Sequence, residues 1–225
     1  TNKKIKVTPQ VGILKISTPN IDFESKASGG IAVESMVSPR VGIAIGFNYA
    51  ALDITDLDAN YNAGIYNNYT PYYNATWYNN NFGQGRQLNY SQMNLDLMGK
   101  FYLTVESSLR PYIGLGVGYN RSNLKYEDTG RQNYQYGNTQ AYYGNEEFST
   151  SYATGLIAAG TEFKFSETVG LNLEFKLSKG LNDQMNNSSG ADSRYNPDQE
   201  RLEQISQEIA GANFSTINLG LTVQF

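Results

Sequence analysis

The chain has 225 residues, of which 40% are hydrophobic, only 17% charged and 13% aromatic, with 22 glycines. So few oily and charged residues argue against a large helical core, and so many aromatics argue against disorder. A formal charge of −4 disfavours nucleic acid as a partner, and the absence of Cys and His removes disulfides, thiol chemistry, Ser-His-Asp triads and most zinc or copper sites.

No apolar run approaches the roughly 18 residues that a helical membrane span needs. The chain opens Thr1-Asn2-Lys3-Lys4 without an initiator Met or a leader pattern, compatible with a processed, mature form. Residues 1–6 are expected to form an N-terminal segment ahead of the fold. The dominant pattern from there on has a period of two, which specifies strands. A first strand is expected at about 7–17, either bulged at Pro9 or starting after it, because proline cannot donate to a ladder. The second carries Ile31, Val33, Ser35 and Val37 on one face. In the third, Val41, Ile43, Ile45, Phe47 and Tyr49 alternate with Gly42, Ala44, Gly46 and Asn48. The fourth presents Met93, Leu95, Leu97, Gly99, Phe101 and Leu103. The fifth presents Pro111, Ile113, Leu115, Val117 and Tyr119 against Tyr112, Gly114, Gly116 and Gly118. The sixth carries Ala153, Gly155, Ile157, Ala159, Thr161, Phe163 and Phe165, and the seventh Val169, Leu171, Leu173, Phe175 and Leu177. The eighth carries Ile217, Leu219, Leu221, Val223 and Phe225.

Every second connection is short: Ser38-Pro39-Arg40, Thr104 to Arg110, and Ser166-Glu167-Thr168. The others, about 18–28, 50–88, 128–148 and 182–212, are long. An up-and-down barrel puts all short turns at one end and all long loops at the other. A soluble barrel would hide its apolar face and a membrane barrel would show it. The polar face decides between them. It holds Lys6, Glu34, Asp96, Lys100, Glu162, Lys164, Glu174 and Lys176 among Gly, Ala, Thr and Asn, which suits a crowded lumen better than a wet exterior. The apolar faces of the second to eighth strands carry no charge, where about six charges would fall among roughly 37 random positions; a lipid-facing band excludes them. Phe47, Tyr49 and Tyr119 at the long-loop ends and Phe101, Phe163, Phe165 and Phe225 at the short-turn ends read as two aromatic girdles.

The last residues, Leu221-Thr222-Val223-Gln224-Phe225, alternate and stop at a terminal Phe. This resembles the C-terminal signature of bacterial outer-membrane barrels, which the insertion machinery recognises. With the eight strands, short turns and long loops, almost the whole chain resembles the small OmpA/OmpX-type barrels. The resemblance implies one all-β domain over residues 1–225, an eight-stranded antiparallel up-and-down transmembrane β-barrel. It also implies a place in the bacterial outer membrane, with both termini and the short turns periplasmic and the long loops extracellular. No periplasmic peptidoglycan-binding domain follows Phe225, so a cell-wall tether is not expected to carry over. A soluble ligand-binding barrel is the competing architecture.

Asp53, Asp56 and Asp58 lack the Gly and distal Glu of an EF-hand and read as a solvated acidic rim; no metal or cofactor is expected. Gly114-Leu115-Gly116-Val117-Gly118 lies inside a strand with no helix after it and cannot cradle phosphate. Tyr61, Tyr66, Tyr69, Tyr72, Tyr73 and Trp77 in one long loop, and Tyr134, Tyr136, Tyr142 and Tyr143 in another, suit either recognition or plain loop extension. Asn196 and Pro197 open a short helix expected at about 198–210, with Leu202, Ile205 and Ile209 on one face. No nucleophile–base pair can be assembled, so no enzyme is expected. The expected role is structural: a lumen filled by paired charges, Asp96, Glu174 and Lys176 lying nearest mid-membrane, with membrane lipid and further copies of itself as partners. Small outward residues on the sixth strand (Ala153, Gly155, Ile157, Ala159), with Ser35 and Gly99 as a second patch, suggest a heterologous contact that could close a ring. A porin-like channel for small solutes or ions and a surface adhesin are the alternatives.

Overall fold

The computed structural model describes residues 5–18, 25–56, 86–105, 107–126, 147–181, 186–189 and 197–225. In chain order these form β1 (Ile5–Ser17), β2 (Lys26–Ser38), β3 (Val41–Asp56), β4 (Arg86–Tyr102), β5 (Leu109–Tyr126), β6 (Glu147–Lys164), β7 (Val169–Gly180), β8 (Asn186–Ser189), α1 (Pro197–Ala210) and β9 (Asn213–Gln224). The strands run in the order β5-β4-β3-β2-β1-β9-β7-β6, and pairing of β5 with β6 closes the ring. The wall is thus an eight-stranded antiparallel up-and-down barrel. The ninth strand segment, β8, pairs with residues 148–151 of β6 above the point where β7 has ended.

The stagger of the wall follows from its pairings. Starting at Lys6, the row of partners runs through Glu34, Ala44, Met98, Gly116, Leu156, Ser178 and Phe214, and returns to β1 at Ile16, ten residues along. Eight strands with that shear tilt by about 40°, so each step around the wall climbs about 3 Å, and the backbone cylinder has a radius of about 8 Å, which side chains can fill.

Two of the short turns are held by the hydroxyl of a serine. Ser38 Oγ accepts from the amides of Arg40 and Val41 (3.4 and 3.1 Å), and Ser166 Oγ from those of Thr168 and Val169 (3.2 and 3.0 Å). The first strand differs from expectation. It begins at Ile5, inside the segment expected to precede the fold, and runs straight through Pro9, which stays in register opposite Ile31. The ladder is interrupted only on the β9 side, at residues 8 and 9, where Thr8 and Thr222 join through their hydroxyls (3.0 Å) instead.

The apolar face of every barrel strand points outward, and Leu115 is 71% exposed. A continuous belt of exposed Ile, Leu, Val and Phe runs around the wall, far larger than a water-facing patch on a monomer. On β5 it extends from Leu109 to Tyr119, about 25 Å along the barrel axis, the height of a lipid-facing band.

Candidate functional site: a lumen closed at two levels

The inner face holds two different fillings. Towards the short-turn end it is charged. Lys6 Nζ donates to Glu162 Oε2 (2.6 Å), Glu34 Oε1 (3.3 Å) and Tyr102 OH (3.1 Å). Lys100 Nζ lies 3.6 Å from Glu34 Oε2 and 3.3 Å from Glu174 Oε2. Tyr102 OH donates to Glu34 Oε1 (2.7 Å), and Tyr112 OH is 2.9 Å from Glu174 Oε2. The ammonium groups of Lys6 and Lys100 also sit over the rings of Tyr102 and Tyr112, at 4.6 and 4.5 Å. Arg110 closes the bottom of this layer. Its guanidinium stacks 4.2 Å from the Tyr102 ring, donates to Pro39 O (3.2 Å) and lies 3.8 Å from Glu162. One level up, Lys176 pairs with Asp96. Among the described residues the buried charges are four cations (Lys6, Lys100, Arg110, Lys176) and four acids (Glu34, Asp96, Glu162, Glu174), so the layer is neutral. Buried charges tolerate desolvation only in such paired arrangements.

Above the charges, a belt of amides crosses the barrel. Gln10 donates to Asn48 (2.7 Å), and Asn94 and Gln92 both donate to Asn120 (2.8 and 2.7 Å), which donates to Thr154 (3.0 Å). Glycines on the inner face make the room. A Cβ on Gly42 would stand 2.6 Å from Glu34 Oε1, and one on Gly160 2.5 Å from Tyr112 OH. A Cβ on Gly30 would collide with Phe47 O and with the Asn48 side chain.

Towards the long-connection end the inner face turns apolar. Leu14, Ile16, Leu88, Tyr90, Leu124, Phe148, Tyr152 and Phe214 form one buried cluster with Leu202, Ile205 and Ile209 of α1. The helix therefore lays its apolar stripe over the mouth of the barrel. Its C-terminal end is drawn tight against β7: the Gly180 amide donates to Ala212 O (3.3 Å), and a Cβ at Gly180 would overlap Ala210 O. The lumen is closed by ion pairs at one level and by hydrocarbon at the other.

No protein-family model matches the chain, and no curated protein sequence matches it. Solved structures do match along its whole length. A major outer membrane protein of Thermus thermophilus aligns with TM-score 0.56 at 13% identity, over 98% of this chain and 99% of that one. The outer membrane protein OprG of Pseudomonas aeruginosa gives 0.54 at 10% identity, over 99% and 96%. Neisserial surface protein A gives 0.52 at 9%, over 98% and 97%. The chain has the fold of the small eight-stranded outer-membrane barrels.

On this barrel wall the residues singled out from sequence fall as follows. Lys6, Glu34, Asp96, Lys100, Glu162, Glu174 and Lys176 are buried inside, whereas Lys164 is half-buried at the short-turn rim. Glu174, two residues nearer the short-turn end than Lys176, joins Lys100 and Tyr112 in the lower cluster, while Lys176 pairs with Asp96. Ala153, Gly155, Ile157 and Ala159 face outward on β6, as do Ser35 on β2 and Gly99 on β4. Phe47 and Tyr119 share one row with Leu95, and Tyr49 is one outward position above Phe47. Phe101, Phe163, Phe165 and Phe225 are exposed at the other rim, with the rings of Phe163 and Phe165 in edge contact at 5.1 Å. Asp58 and the tyrosines of the two long loops, with Trp77, lie outside the described residues, as do the side chains of Asp53 and Asp56. Sequence reasoning missed Arg110, Tyr102 and the apolar upper lining. The signal was parity: Arg110 and Tyr112 share a face, and Leu14 and Ile16 flank an outward Lys15.

Proposed function

We propose that the protein is a structural, membrane-organising barrel of the bacterial outer membrane, its short turns and termini in the periplasm and its long connections outside. The observation that carries the reading is the double closure of the lumen, by the neutral ion-pair layer around Lys100 and by the α1 cap. A barrel sealed twice holds its shape without passing solute. Planar-bilayer recording tests it: purified monomer is expected to show only baseline current, and a steady porin-sized conductance overturns the reading in favour of a channel. The outward alternation of β9 up to Phe225, which is 77% exposed, is the feature offered to the insertion machinery.

The organising role rests on self-association, for which the depth of the small residues speaks. By the climb of the rows, Gly99 and Ala159 lie within about 2 Å of the same depth. Ser35 and Gly99 both pair with Ile43, leaving a knob between two notches on one side of the barrel and the flat Ala159 surface on another. Two unlike patches make a heterologous contact that closes into a ring when the rotation allows. Native mass measurement in mild detergent is expected to show an oligomer that Gly99→Leu combined with Ala159→Leu dissociates. A monomer in the parent protein, or an oligomer that ignores the double change, sinks it.

A further inference from the structure

We propose that the outer wall carries a lipid site: an apolar groove over Gly155 that takes an acyl chain of an anionic phospholipid, with the phosphate held at Lys179 and Lys15. The groove has a volume of about 440 Å³, and its outward lining is Leu115, Gly155, Ile157, Leu177, Lys179 and Asn213. It exists because Gly155 puts no side chain between Val117 of β5 and Lys179 of β7, its partners on either side. Leu181 overhangs the floor from above, 3.2 Å from where a Cβ would stand.

The groove is oriented like a lipid. Its lower wall, Leu115, lies near the middle of the apolar band, and Lys179 lies about 11 Å higher, at the long-connection rim. Lys15 stands across β9 from Lys179, about 10 Å away, with only Asn213 and Ser215 between them on the outer face. That notch leaves space for a headgroup and offers the Asn213 amide as a further donor.

Charge supplies the occupant. Among the residues whose side chains are described, the outward charges above the band are Lys15, Arg121, Lys125, Glu147 and Lys179. The acid among them, Glu147, is opposite Lys125 and accepts from Asn123 (2.6 Å), so it is engaged away from the groove. Two amines at the rim beside an acyl-wide groove attract an anion. A second copy of this barrel offers its apolar belt to the groove but further cations at the rim, and would bury the amines unpaired, which is costly. A phospholipid brings chain and anion together. The inference does not depend on whether the lumen is sealed.

The test uses the full chain in phosphatidylcholine nanodiscs, titrated with dioleoylphosphatidylglycerol and read by native mass spectrometry. One phosphatidylglycerol per barrel is expected to be retained in preference to phosphatidylcholine. Lys179→Gln and Lys15→Gln are each expected to weaken it about fivefold, a scale set by one lysine at an anionic lipid, while Lys125→Gln leaves it unchanged. Gly155→Leu fills the groove and is expected to abolish retention; Ile157→Trp fills it from the side and reads the same loss should the glycine variant misfold. Equal retention of both lipids, an affinity indifferent to Lys179→Gln and to both groove-filling changes, or a second copy seated over Gly155 overturns the proposal.

Discussion

Replacing Lys100 with Met removes the central cation of the lumen while keeping most of its volume. In the parent protein its ammonium serves Glu174 at 3.3 Å and Glu34 at 3.6 Å. At an effective dielectric of 20 each contact is worth about 5 kcal/mol before desolvation. After the change Glu34 keeps Lys6 at 3.3 Å and the Tyr102 hydroxyl at 2.7 Å, while Glu174 loses its nearest cation and keeps the Tyr112 hydroxyl at 2.9 Å and the more distant charge of Lys176, which Asp96 already shares. Four buried cations against four acids become three against four. Breaking a buried pair from one side costs about 3–5 kcal/mol, since the layer is left with one acid in excess. With a urea dependence of about 2 kcal/mol per molar, the unfolding midpoint in detergent, followed by circular dichroism, falls by roughly 1.5–2.5 M. Adding Glu174→Gln removes the excess charge and recovers at least half of the loss, so the two changes couple. A Lys100→Met midpoint equal to that of the parent, or a double variant weaker than the single, would refute this account of the lumen.

Adjacent glycines should respond in opposite ways. Gly30→Ala pushes a methyl into Phe47 O and Asn48 and is expected to cost about 1–3 kcal/mol in unfolding free energy, whereas Gly29→Ala, with nothing within 4 Å, stays within about 0.5 kcal/mol. Leu115→Lys places a cation in mid-band and is expected to cost about 2–4 kcal/mol in bilayers; a neutral outcome would mean that this face meets water. Leu202→Ala with Ile209→Ala deletes two fully buried anchors of α1, each worth about 2–5 kcal/mol. Hydrogen exchange should then accelerate in α1 while β1 to β7 stay protected, and bilayer current should stay at baseline because the ion-pair layer still closes the other end.

The strands and their faces were legible because a two-sided wall writes its environment into alternate residues: Ile43 and Ile45 outward, Gly42 and Ala44 inward. Small inner residues and a handful of inner charges also pointed to a crowded lumen. Which charge meets which was not legible. Lys6 reaches Glu162, 156 positions away, only because of the ten-residue stagger, and no local pattern encodes that closure. The apolar upper lining was hidden for a different reason. Phe148 and Phe214 look the same in sequence whether they face lipid or α1, and the alternation there had to be read from outward Lys15, Lys179 and Arg121 instead. The spacing places Arg110 in a turn, yet β5 starts two residues earlier than expected, at Leu109, and that turns Arg110 into the floor of the lumen.

The pairing of β1 with β9 joins Ile13 to Ile217, some two hundred residues apart, and the backbones of Ile5 and Phe225 exchange two hydrogen bonds at 3.3 and 2.9 Å. The first strand made is therefore latched by the last. Until β9 emerges, β1 and β7 both present bare edges, and the sheet can neither close nor hide its ladder. The ring cannot close before β9 is present, and closure depends on contacts of the longest range, the kind that form slowly. Until that contact forms the edges stay open to pairing with other chains, and β9 acts as the clasp that turns a ribbon into a cylinder.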